Sequence, residues 1–239
     1  MLVASLRSIV KGLYQRLIFG VTIIQYRKLK KRLIAYTQIN DLWTFSKNVF
    51  ETTQVEDEIC EFIKYSINFS PKIICEIGVE RGGTSFLFST CLPTIEKVIG
   101  IDLVLKNVPL LKFLSRSKNY YLEGYSSSEK VFNKVRKILS GKQIDLLFID
   151  GDHSYKGVKA DFEKFLPLVG ENGVIAFHDI CEDHNSRFGK NTSNFSGGVP
   201  QFWKEIKDHY PKSTEFVHDR NQDGFGIGLI HKTKLNATP

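Results

Sequence analysis

From about residue 54 the chain alternates helix-like and strand-like stretches, and few folds accommodate that order. Residues 54–69 read as a helix that stops ahead of Pro71, because a residue preceding proline is pushed out of the helical region. The apolar runs KIICEIGV (72–79), KVIGID (97–102) and NYYLEG (119–124) read as strands, with helices expected over 84–91 and 128–139. IDLLFID (144–150) and GVIAFHD (173–179) are further strands, separated by a helix near 158–168. A helix over 199–210 precedes two closing strands at 214–219 and 224–232. Such alternation predicts an α/β domain, a mostly parallel sheet with helices on both faces. Ligands of such sheets sit beyond the carboxyl ends of the strands.

Two of these strands end in groups that a strand interior does not need. LLFID stops on Asp150, and a turn carrying Asp152 and His153 follows; GVIAFHD stops on His178 and Asp179. Buried charge is costly unless it is paired or metal-bound. A parallel sheet would bring both ends to one crevice, where carboxylates repel unless a cation or a proton joins them. Oxygen ligands with open positions suit Mg²⁺. The plainer readings are a backbone-bonded turn for His153, a hydrogen-bonded strand end for His178, and a turn residue for Asp152.

The stretch CEIGVERGGTS (75–85) leaves the first strand and opens a helix. Gly78 permits a tight turn, and Gly82 and Gly83 permit close backbone approach to a ligand. Their spacing is not the G-x-G-x-x-G of a dinucleotide site, which argues against a nicotinamide-dependent oxidoreductase. Glu76 suits a ligand with an ammonium group, and Asp102, ending the second strand, suits two ribose hydroxyls. An adenosine with an amino-acid tail accounts for both acids.

With EIGVERGGTS, GIDL, IDLLFIDGDHSYKGVKADF and AFHDI in this order, the chain resembles the class I S-adenosylmethionine-dependent methyltransferases over about residues 50–232. The last two stretches look like the branch of cephalosporin hydroxylase-like proteins and macrolide-sugar O-methyltransferases. The resemblance implies a Rossmann-like sheet of seven strands with the last antiparallel, and O-methyl transfer to a hydroxyl of a sugar or glycoconjugate. It implies that Glu76 and Gly78 line the methionine part of the cofactor, with Gly82 and Gly83 in the same loop. Asp102 would bind the ribose, and Gly124 and Ser126 would form the adenine-side loop. Ser126 as a helix N-cap is the alternative. Asp150, His178 and Asp179 would hold a divalent cation, and His153 would be the general base, for which imidazole is suited. The relatives commonly show an acidic pair where this chain has His178-Asp179. A histidine there favours a softer ion such as Mn²⁺ or Zn²⁺, or a role in orienting substrate.

Charge divides the chain unevenly. Residues 1–40 hold eight of the 33 basic residues and no acid, which leaves 25 basic against 26 acidic residues beyond them. The basic character thus belongs to an N-terminal segment, and a nucleic-acid partner for the main domain, residues 41–239, loses its support. Leu6, Ile9, Val10, Leu13 and Leu17 recur at helical spacing, so residues 1–40 are expected to form a basic amphipathic appendage. Such a helix lies on an anionic membrane surface, or packs on the domain or a second copy of the chain. The apolar run 17–24 is too short to span a bilayer. Cys60, Cys75, Cys91 and Cys181 lack metal-type spacing and read as free thiols of a cytoplasmic protein. A binding module with a retained cofactor pocket but no turnover is the third reading, and Asp150, His153 and Asp179 argue against it.

Overall fold

The computed structural model describes residues 22–192, 194–210 and 212–233. The expected amphipathic helix over residues 6–17 lies outside them. Seven strands form one sheet: β1 (Ile73–Ile77), β2 (Lys97–Asp102), β3 (Lys118–Glu123), β4 (Ile144–Ile149), β5 (Val169–His178), β6 (Ser213–Phe216) and β7 (Ile227–His231). Their order is β3-β2-β1-β4-β5-β7-β6. β1 to β5 pair in parallel, and β7 runs antiparallel to both β5 and β6. This is the expected α/β, Rossmann-like sheet with one reversed strand.

Period-2 alternation assigns each side chain to a face. Ile73, Cys75 and Ile77 of β1 and Leu147 and Ile149 of β4 enter one core; Ile74, Leu146 and Phe148 enter the other. The first core is covered by α6 (Glu129–Leu139), α7 (Tyr155–Phe165) and α9 (Val199–Lys207). The second is covered by α2 (Ile39–Phe50), α3 (Glu56–Ile67), α4 (Gly83–Cys91) and α5 (Val108–Leu114). Right-handed crossovers impose this division, because the chain first winds outward from β1 to β3 and then returns past β1 to β4 and β5. Trp203 and Phe202 are core residues: the Trp203 ring lies against Gly228, where a Cβ would come within 2.7 Å, and its Nε1 donates to Glu215 at 2.7 Å.

The described part of the basic segment is a helix over residues 22–34, α1. Leu33 is buried in the second core, and Tyr26 and Leu29 pack against it. The Tyr26 and Phe113 rings lie 5.6 Å apart, and Lys30 Nζ donates to the Phe113 carbonyl at 3.3 Å. Arg27, Lys28, Lys31 and Arg32 are exposed. A short α8 (His184–Phe188) lies in the long segment between β5 and α9, capped by Asp183, whose carboxylate accepts from Ser186 N at 2.7 Å.

Leu33→Ala tests whether α1 belongs to the second core. Removing a buried leucine there should lower the unfolding free energy by about 2–4 kcal/mol. The expected result in urea is a lower midpoint at unchanged slope; an unchanged midpoint would detach α1 from the fold.

Candidate active site

The sheet order reverses between β1 and β4, so the loops leaving these neighbours turn to opposite faces and open a crevice. A cavity of about 610 Å³ occupies it. Gly78, Asp102, Gly124 and Ser126 line one part of it; Asp150, His153, His178 and Asp179 line another. All eight were singled out in the sequence.

Gly78 has φ +91°, and a Cβ on it would lie 1.8 Å from the Asp150 carbonyl oxygen. Glycine is therefore required by the crossing of two chain turns, whatever ligand the crevice takes. Asp102 accepts the backbone N–H of Glu80 at 2.7 Å through one oxygen and that of Val104 at 2.9 Å through the other. It ties the glycine loop to the end of β2 at the cavity edge. Gly124 N donates to the Asp102 carbonyl at 2.8 Å. Ser126 is not a helix cap; that position is Ser128, whose oxygen accepts from Val131 N at 3.3 Å. Ser126 Oγ instead donates to Asp161 at 2.5 Å, and burial pushes that carboxyl up to about 6.

Glu76, Gly82 and Gly83 stand behind the cavity lining. A Cβ on Gly82 would meet Leu111 of α5 at 2.3 Å, and one on Gly83 would meet Thr52 Oγ1 at 1.9 Å. Gly82 lets α5, and Gly83 lets the connection between α2 and α3, close on the start of α4. Glu76 is fully buried, accepts from the Ser85 hydroxyl, and leaves Oε1 without a partner. Burial raises its pKa to about 8 against the opposing Ser85 hydrogen bond.

The acid and histidine groups form one cluster. His178 Nδ1 lies 3.2 Å from Asp150 Oδ1 and 3.3 Å from Asp179 Oδ2. His153 Nε2 lies 3.5 Å from Asp150 Oδ1, and its Nδ1 3.3 Å from Asp179 Oδ2. The same Nδ1 donates to the Phe195 carbonyl at 2.6 Å, and the two rings lie nearly parallel, 8° apart. Successive strand residues face opposite sides of a sheet. His178 and Asp179 both reach the cavity because Asp179 leaves the strand with φ +63°, its Oδ1 accepting from Phe225 N at 3.1 Å.

Charge in this cluster is balanced. Burial raises the Asp150 pKa, but the imidazoles of His178 and His153 outweigh it and hold the carboxyl well below its ordinary range. The hydrogen bond to Asp150 is the largest influence raising His153, to about 9. Burial opposes protonation of His178, yet Asp150 and Asp179 carry it well above the ordinary imidazole value. Among the described residues, Asp150, His153 and Asp179 each offer a ligand atom within 4.8 Å of the others, a donor set that fits a divalent cation. Such a cation and the imidazole protons compete for the same carboxylates.

Sequence reasoning missed Thr53, Tyr125, Asn194, Phe195 and Phe225, which also line the cavity. Asn194 and Phe195 belong to the long polar segment between β5 and α9; the rest carry no motif.

Glu76 generates a pH dependence of stability. Its folded pKa lies above the ordinary carboxyl value, so from pH 4.5 to about 8 the folded chain holds a proton that the unfolded chain has lost. Stability from this residue should fall across that window as pH rises. Glu76→Gln should make the decline shallower, the raised imidazoles still contributing above pH 6.5, and the wild type should be the less stable of the two at pH 8. Urea midpoints of both chains at pH 5 and 8 provide the measurement; parallel behaviour would refute it.

Residues 75–180 match a family described as Methyltransferase domain. Two curated relatives are uncharacterised proteins: y4gI of Sinorhizobium fredii, 32% identical over 102 residues, and R132 of Acanthamoeba polyphaga mimivirus, 29% identical over 159. The matches cover 42% and 63% of this chain, and 9% and 69% of those proteins. The chain therefore matches only a small part of the first. Among solved structures, an O-methyltransferase from Bacillus cereus in complex with SAH is similar with a TM-score of 0.54, at 17% identity, covering 86% of this chain and 91% of that one. The MycE methyltransferase of mycinamycin biosynthesis, in complex with Mg, SAH and mycinamycin VI, is similar with a TM-score of 0.53, at 14% identity, covering 75% of this chain and 50% of that one. The sheet order is that of a methyltransferase fold shared with these solved structures, and within it residues 75–180 resemble a methyltransferase domain.

Proposed function

We propose that the protein transfers the methyl group of S-adenosylmethionine to a hydroxyl of a sugar or glycoconjugate, assisted by a divalent cation. The observation that carries this reading is one cavity with the glycine turn and Asp102 on one part and a cluster of two carboxylates and two imidazoles on another. The solved complex of MycE with Mg, SAH and mycinamycin VI supports it by analogy of fold.

Methyl transfer needs chiefly the alignment of an acceptor oxygen with the methyl group. Asp102 and the turn at Gly78 would hold the cofactor, with Gly124 and Ser126 toward its adenine. Asp150 and Asp179 would hold the cation, with an imidazole beside them. The cation, when bound, supplies a Lewis acid that holds adjacent hydroxyls and lowers the pKa of one. His153 would take the hydroxyl proton. Its Nδ1–H is fixed on the Phe195 carbonyl, which leaves Nε2 as the basic nitrogen once positive charge on the carboxylates replaces that of its own proton. The Phe195 ring, largely exposed at the cavity, offers an apolar face to a sugar ring.

The basic residues of α1 we assign to an anionic membrane surface. Arg27, Lys28, Lys30, Lys31 and Arg32 are exposed together with Ile24 and Ile34. No helix among the described residues is long and apolar enough to cross a membrane.

Turnover tests the chemistry. His153→Ala should lower the rate by about 10²–10⁴-fold with S-adenosylhomocysteine binding retained. Asp150→Asn should recover part of its lost rate with excess cation. Full wild-type turnover in chelator would remove the cation from the reaction, and an active His153→Ala chain would remove the base. For α1, cosedimentation with phosphatidylserine vesicles should be strong at low salt and lost on changing Lys28, Lys31 and Arg32 to Gln. Binding that survives this change would refute the surface role.

A further inference from the structure

The acid cluster is held from a side that the family-matched residues 75–180 do not contain. Gln54 lies just ahead of α3, 96 residues from Asp150 in sequence. Its Nε2 donates to Asp150 Oδ2 at 2.9 Å, while Oδ1 of the same carboxylate faces His178 and His153. Gln54 is 3% exposed, and its backbone carbonyl accepts from Trp43 Nε1 of α2 at 3.2 Å. Its Oε1 is buried without a partner. The preceding Thr53 lines the cavity. Thr52 Oγ1 meets Ser46 Oγ at 2.5 Å, and Ser46 Oγ donates to the Gly83 carbonyl at 3.1 Å. Residues 52–54 thus run from the start of α4, behind the glycine turn, to the acid cluster.

A buried amide that satisfies one end on Asp150 and leaves the other unmet is not the arrangement that stability alone would select. The choice of an amide also has an electrostatic reason. A lysine or arginine at this position would neutralise Asp150 and repel a cation, and a glutamate would add a further negative charge to the cluster. A neutral donor fixes the carboxylate and leaves the charge of the cluster as it is.

We propose that Gln54 is a positioning residue: by occupying Asp150 Oδ2 it sets the carboxylate so that Oδ1, with Asp179, is presented to a divalent cation. This rests on the cation-assisted reading above. Partners that orient a metal-binding carboxylate typically contribute about 10- to 100-fold in metal affinity.

Mn²⁺ alone is the probe, titrated by calorimetry and by the electron paramagnetic resonance of the free ion, with S-adenosylhomocysteine affinity and the thermal midpoint measured on the same samples. Gln54→Leu should weaken Mn²⁺ binding by about 10-fold or more and leave S-adenosylhomocysteine affinity within about twofold. In an Asp150→Asn background the same change should have no further effect on Mn²⁺, which a general loosening of the fold would not reproduce. Gln54→Met, which keeps the length of the side chain, replaces the leucine variant if that fails to fold. Unchanged Mn²⁺ affinity in a folded variant, an equal loss in the Asp150→Asn background, or a wild type that binds no Mn²⁺ overturns the proposal. A wild type that binds Mn²⁺ but not S-adenosylhomocysteine would instead overturn methyl transfer and leave the Gln54 comparison standing.

Discussion

The backbone of Gly78 crosses that of Asp150 with no room for a side chain between them. This contact lies where the chain leaves β1 for one face of the sheet and β4 for the other. Asp150 N donates to the Ile77 carbonyl at 2.8 Å, and Gly78 N donates to the Ile101 carbonyl at 2.9 Å. Three strand ends are thereby fixed against one another before any side chain is considered. The wall formed by Gly78 and Asp102 and the acid cluster share a cavity because the same crossing anchors both.

Electrostatics then shapes what the cavity accepts. Asp150 and Asp179 are largely shielded from water and are compensated by His153 and His178, so the cluster holds together without a ligand. The compensation is proton-borne and therefore exchangeable, unlike the compensation a lysine or arginine would give. Glu76 follows a different rule. Sealed behind the lining, with the Ser85 hydroxyl donating to it, it has its pKa raised by burial to about 8.

Much of this was legible in the sequence. Apolar runs bounded by turns located every strand, because strand alternation and burial are local properties. The acids at 102, 150 and 179 were conspicuous because charge at the end of an apolar run has few structural uses. Other parts were not legible. α5 is seven residues long, too short to display a helical period, and α2 fell across the boundary drawn by charge at residue 40. Gly82 and Gly83 looked like ligand-approach glycines, but only the packed structure shows Leu111 and Thr52 where their side chains would be. Gln54 sits in the polar stretch ETTQ, and nothing local marks it as a neighbour of Asp150.

The segment between β5 and α9 is closed at its base. Asp183 Oδ2 accepts from Ser196 N at 3.0 Å, Ser196 Oγ accepts from Asp183 N at 3.0 Å, and Asp223 receives both His184 N and the Thr192 hydroxyl. A loop whose two ends are stapled together transmits little of its own variation to the scaffold beneath. Of the described residues between the staples, Asn194 and Phe195 line the cavity, and the segment is exchangeable as a unit. Lineages or engineers could replace its contents, Phe195 included, and change the molecules admitted while the sheet and the crossing below stay as they are.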